Sequence, residues 1–89
     1  MDTIYDAKLL LVDDNAELLA LLCEQLRGAG YGHIRTAQSC AAARICFGAE
    51  QPELMILDIN LPDGDGYALC KQIKQASPAT SIIFLTVHE

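Results

Sequence analysis

The sequence predicts an α/β fold, a doubly wound parallel sheet with helices on both faces, and three observations carry that expectation. Short apolar runs alternate along the chain with apolar patterns at helical spacing, in the order βαβαβαβ. The first, third and fourth runs are apolar at consecutive positions, as strands buried on both faces are. Two of them end abruptly on aspartate. Such alternation calls for right-handed crossovers and for ligands at the carboxyl ends of the strands.

Each element has a local reason. Lys8 to Val12 (KLLLV) is an apolar run stopped by Asp13 and Asp14, and it predicts the first strand. From Asn15 to about Arg27 the leucines at 18, 19, 22 and 26 mark one face of a helix, with Gly28 and Gly30 as stop signals. His33 to Ala37 (HIRTA) mixes polar and apolar residues, which suits a second strand at the sheet edge. Ser39 can cap a second helix through CAAARICF to Gly48. Pro52 precedes Leu54 to Leu57 (LMIL), a third strand ending on Asp58. After the turn-rich loop INLPDGDG, Asp65 can cap a third helix carrying Leu69, Cys70 and Ile73 and broken before Pro78. Ser81 to Thr86 (SIIFLT) completes the pattern as a fourth strand.

With 89 residues the chain has room for one domain and one small core. Hydrophobic residues at 52% exclude a disordered segment. Twelve acidic residues against six basic ones give a net charge of −6, the wrong sign for these residues themselves to grip nucleic acid or an anionic membrane. The start, MDTIYDAKLLLVDD, resembles neither a signal peptide nor a membrane span, so a cytoplasmic location is expected. Cys23, Cys40, Cys46 and Cys70 show no C-x-x-C spacing and read as small buried side chains rather than ligands or disulfides.

The candidate chemistry gathers at one end of the sheet. Asp13 and Asp14 finish the first strand, Asp58 the third and Thr86 the fourth. If the first and third strands are neighbours, three carboxylates meet and repel unless a cation or raised pKa values relieve them. Oxygen-only ligands without a nearby Cys or His favour Mg²⁺. A metal-positioned carboxylate such as Asp58 can attack phosphorus, and the Thr86 hydroxyl can donate to the resulting phosphate. Taken singly these residues have plainer readings. Asp13 or Asp14 can cap the first helix, Asp58 can be a turn residue and Thr86 a β-branched strand end. Their joint placement favours the site. Pro62, Gly64 and Gly66 read as turn formers, and His33 and His88 as surface residues.

Taken together, LLLVDD, then MILDINLPDGDGY, then IIFLT resemble the receiver domain of two-component response regulators over nearly the whole chain. The resemblance implies a flavodoxin-like receiver fold with strand order 2-1-3-4-5. It also implies that Asp58 accepts a phosphoryl group from a histidine kinase. Asp14 and Asp58 would ligate Mg²⁺ by their side chains, Asn60 by its backbone carbonyl, and Asp13 through metal-bound water. Thr86 would move toward the phosphate, and the output would be transcriptional, through a DNA-binding effector domain outside these residues.

Departures from the family pattern accompany the matches. The family's fourth helix, fifth strand and fifth helix are absent, and with them the strand-five lysine and aromatic switch residue, so residues 1–89 are expected to be a partial receiver domain. A charge pair at about 4 Å is worth roughly 4 kcal/mol at an effective dielectric of 20. Without that lysine the metal half of the site is expected to persist and the full switch to fail. Val87 stands where the family has Ala or Gly, and its bulk would narrow access to Asp58. The apolar fourth strand and the wide apolar surface of the first helix (Ala20, Leu21, Cys23) need cover, and a homodimer through both is one way to supply it. Three other functions compete. An aspartate-nucleophile phosphatase needs an acid where Asn60 stands. A calcium loop of Asp58, Asn60, Asp63 and Asp65 is spoiled by Pro62 and a missing Glu. A receiver-like docking module would never be phosphorylated.

Overall fold

In a computed structural model of the chain, residues 4–85 are described. After a short 3-10 turn at Ile4–Asp6 the elements run β1 (Lys8–Val12), α1 (Ala16–Gly28), β2 (His33–Ala37), α2 (Cys40–Ala49), β3 (Leu54–Asp58), β4 (Asn60–Leu61), β5 (Gly64–Asp65), α3 (Gly66–Ala76) and β6 (Ser81–Leu85). Four strands form one parallel sheet in the order β2-β1-β3-β6, and β4 and β5 form a separate antiparallel pair inside the expected turn loop. The α/β alternation and the central position of β1 and β3 agree with the sequence. Thr86, Val87 and His88 lie outside the described residues.

Register explains the core. Because side chains alternate along a strand, Leu10 and Val12 share a face with Met55 and Leu57, their register partners. That face packs against Ala43 of α2 and Leu69 and Ile73 of α3, and all of these are buried in one cluster. Leu9 and Leu11 point the other way, toward the face covered by α1 through its buried Leu19. Cover on that second face thins across the sheet. Leu54 and Ile56 of β3 are half-buried, and Ile83 of β6, the register partner of Ile56, is 54% exposed. On α1, Leu21 is 52% exposed. The apolar surface expected on the fourth sheet strand and first helix is therefore present.

Helix ends follow local chemistry, with one correction. Ser39 accepts from the Ala42 N–H at 3.1 Å and Asp65 from the Tyr67 N–H at 2.8 Å, as expected of caps. Helix α1 is capped by neither Asp13 nor Asp14. Asn15 does this by accepting from the Leu18 N–H at 3.1 Å, while Asp13 accepts from the Asn15 N–H at 2.8 Å. At the other end Gly28 is the last helical residue, and Gly30, at φ 114°, makes the turn. Its N–H donates to the Arg27 carbonyl and that of Tyr31 to the Leu26 carbonyl, both at 3.0 Å, which is the Schellman pattern. The Tyr5 ring lies over this turn and meets Tyr31 edge to face at 5.2 Å between ring centres. All four cysteines are free, but only Cys40 is buried; the other three are half-buried.

Candidate metal centre

Parallel neighbours in register bring the carboxyl ends of β1 and β3 side by side, since Val12 pairs with Leu57. The residues that follow are Asp13 and Asp14 on one strand and Asp58 on the other, and oxygen atoms of all three lie within 4.8 Å of one another. Asp13 is buried, Asp58 half-buried and Asp14 exposed, so the cluster opens to solvent on one side. Burial pushes the Asp13 carboxyl above its ordinary range. The hydrogen bond from the Asn15 N–H opposes that shift, and repulsion from Asp58 and Asp14 reinforces it. An oxygen-only donor set under mutual repulsion has the chemistry a hard divalent cation relieves. These residues fit Mg²⁺.

The loop after β3 decides which of its acids belong to this cluster. Asp63 turns away, and its two carboxylate oxygens accept from the Cys40 and Ala41 N–H groups at 2.7 and 3.0 Å. These bonds to the N-terminus of α2 hold its carboxyl below the ordinary range. Asp65 is occupied in capping α3. The calcium-loop reading therefore fails on geometry, because Asp63 and Asp65 serve two helix N-termini while Asp58 joins Asp13 and Asp14. Asn60 begins β4, opposite Asp65, with its side chain exposed. Thr86 lies outside the described residues.

Two residues support the site in ways that the sequence marks only as a turn. Gly66 was expected only to shape a turn, yet its N–H donates to the Ile59 carbonyl at 2.7 Å. A β-carbon at Gly66 would overlap the Asp58 carbonyl oxygen and sit 2.9 Å from Ile59 Cα. The first residue of α3 is thus pressed against the backbone that carries Asp58. Asp63 in turn ties this loop to α2, and a β-carbon at Gly64 would meet Cys40 Sγ at 3.1 Å. The spacing D-G-D-G is the only sequence signal for either role. Beside them Tyr67, 56% exposed, packs on Phe84 with ring centres 4.9 Å apart.

A four-stranded parallel sheet with this order, and an acidic cluster at the carboxyl ends of its central strands, define a module of the doubly wound class with a candidate divalent-cation site. The chain belongs to the response regulator receiver domain family, whose model matches residues 9–89. Among its relatives is the transcriptional regulatory protein YxdJ of Bacillus subtilis, 38% identical over 81 residues, a match covering 91% of this chain and 34% of that protein. The chain thus spans between 18% and 34% of the length of the curated relatives compared with it. NtrX from Brucella abortus superposes with a TM-score of 0.86 at 30% identity, over 93% of this chain and 19% of that one. The chemotaxis response regulator CheY4 of Vibrio cholerae gives 0.86 at 28% identity, over 93% of this chain and 70% of that one. Among the described residues, no helix is long and apolar enough to cross a membrane.

Proposed function

We propose that the chain is the phosphoacceptor part of a two-component response regulator and that Asp58 takes a phosphoryl group from the phosphohistidine of a histidine kinase. The meeting of Asp13, Asp14 and Asp58 carries this reading. An Asp58 carboxylate oxygen attacks phosphorus, the new O–P bond forms as the donor's P–N bond breaks, and the histidine leaves with its electron pair. Asp13, Asp14 and Asp58, with the Asn60 carbonyl, would hold Mg²⁺, which supplies positive charge against the incoming phosphoryl oxygens. Asp13 is fixed by the Asn15 N–H, and Gly66 lets the start of α3 pack directly against the Asp58–Ile59 backbone. Thr86 would donate its hydroxyl to the phosphate.

Residues 1–89 are, on this reading, a partial receiver domain. The 70% coverage of CheY4 supports that reading. On the same reading the regulator works in the cytoplasm through a DNA-binding domain outside these residues, and the name of YxdJ, a transcriptional regulatory protein, supports a transcriptional output. The exposed apolar surface of β6 and α1, where Ile83 and Leu21 stand more than half exposed, is one that further receiver elements of a longer chain would cover, with a second copy of the 89-residue chain as the alternative partner.

Treatment of the parent protein with beryllofluoride and Mg²⁺ tests the phosphoacceptor reading. The expected result is a change in the backbone amide spectrum centred on Asp58 and the β3–α3 loop. An unchanged spectrum would favour a docking module that is never phosphorylated.

A further inference from the structure

Helices α2 and α3 cover the same face of the sheet, and between their outer sides runs an open groove of about 540 Å³. Phe47, Ile73 and Ala76 form its apolar floor, and Arg44, Gln72 and Gln75 its polar lip. Arg44 is already positioned, because its Nε and Nη2 both donate to Gln72 Oε1 across the two helices, at 3.1 and 2.9 Å. Those bonds leave further guanidinium N–H groups for a carboxylate, and they spare a ligand part of the cost of ordering a long side chain.

Charge on these helices runs against that of the chain. The whole sequence is at −6, yet 40–49 and 66–76 contain Arg44, Lys71 and Lys74 and no acidic residue. The nearest acids in sequence are engaged elsewhere. Glu50, just past α2, lies 3.6 Å from Arg35, Asp63 caps α2 and Asp65 caps α3. Of the three cations only Arg44 lines the groove, since Lys74 Nζ donates to the Pro78 and Thr80 carbonyls, so the groove sets one cation with no acid among its lining residues beside an apolar floor.

We propose that this groove docks an acidic amphipathic peptide segment of a partner protein. The segment seats an apolar side chain on Phe47, Ile73 and Ala76 and lays a carboxylate on Arg44. Helix-in-groove recognition supplies both contacts from one turn of a partner helix, with apolar anchors on one side and acids on the other. One cation in the groove of a net-acidic chain gives nucleic acid little electrostatic hold, and the apolar floor gives it nothing to read. The proposal stands independently of phosphoryl transfer at Asp58.

The test is an amide-NMR titration of the isotope-labelled protein with a synthetic helical peptide bearing Leu on one face and Glu on the other, beside a counterpart with Lys for Glu. Saturable shifts confined to 40–49 and 66–76 are expected from the acidic peptide alone, weakening as salt is raised. Arg44→Glu, at an exposed position, should keep the spectrum of the folded protein and lower affinity at least about tenfold. The proposal fails if shifts do not saturate, if they map to the α1 side of the sheet, if the basic peptide binds equally well, or if Arg44→Glu leaves affinity unchanged. A DNA duplex that shifts the same residues more tightly than the acidic peptide would overturn it as well.

Discussion

At Gly66 a single methyl group would cost the site most. The β-carbon of Gly66→Ala would collide with the Asp58 carbonyl and Ile59 Cα, both backbone atoms that cannot swing aside. Thermal denaturation should show a loss of about 3 kcal/mol, whereas a residue needed only for turn flexibility would show under about 1 kcal/mol. Asp63 sets a pH dependence of definite sign. Its carboxyl is held below the ordinary value of 3.8. The stability it adds is therefore present above that value and lost as pH falls through the lower folded value. Asp63→Asn should melt lower than the parent at neutral pH, and the gap should close as pH falls through that lower folded value. A constant gap across acid titration would show that the carboxylate charge is not what holds α2. Neither role could be read from neighbouring residues. Asp63 meets amides more than twenty positions upstream, at Cys40 and Ala41, and the closeness of Gly66 to Asp58 exists only once α3 has folded back.

Elements whose signals are local were legible. Ser39 and Asp65 sit directly before the helices they cap, and the apolar runs of β1, β3 and β6 need no partner to be recognised as strands, although β6, at the sheet edge, has no buried residue. The first helix shows the limit, since Asp13, Asp14 and Asn15 all favour an N-cap and only the fold selects Asn15. The two-residue strands β4 and β5 are too short to leave a pattern. The end of the sheet opposite the acids is tied by a buried polar chain that spacing also does not announce. There Thr80 Oγ1 donates to the Pro52 carbonyl at 2.8 Å and shares a 2.8 Å hydrogen bond with Ser77 Oγ. Because Pro52 and Thr80 precede β3 and β6, this chain sets how the two strands start in register. Thr80→Val should cost about 1–3 kcal/mol in denaturant unfolding, since it leaves a buried carbonyl and hydroxyl without their partner. A change within error would show that water replaces the lost hydroxyl.

The molecule as a whole has one well-packed face and one poorly covered face. The α2–α3 side holds the buried cluster, while the α1 side leaves Ile83 and Leu21 exposed near an unpaired sheet edge. Apolar edges of this kind associate unless they are covered. Light scattering over a dilution series should show dimers of the 89-residue chain forming as concentration rises. A strict monomer at high concentration would remove the second copy as the partner of that surface. The convergence of Asp13, Asp14 and Asp58 is also a property of the whole, because adjacency of β1 and β3 in the sheet is what turns separate strand ends into one cluster. A calorimetric Mg²⁺ titration tests that convergence most directly. One saturable site per chain is expected, weakened by Asp13→Asn and abolished by Asp58→Asn, while both variants remain folded. Absence of saturable binding, or binding that survives Asp58→Asn unchanged, would contradict it.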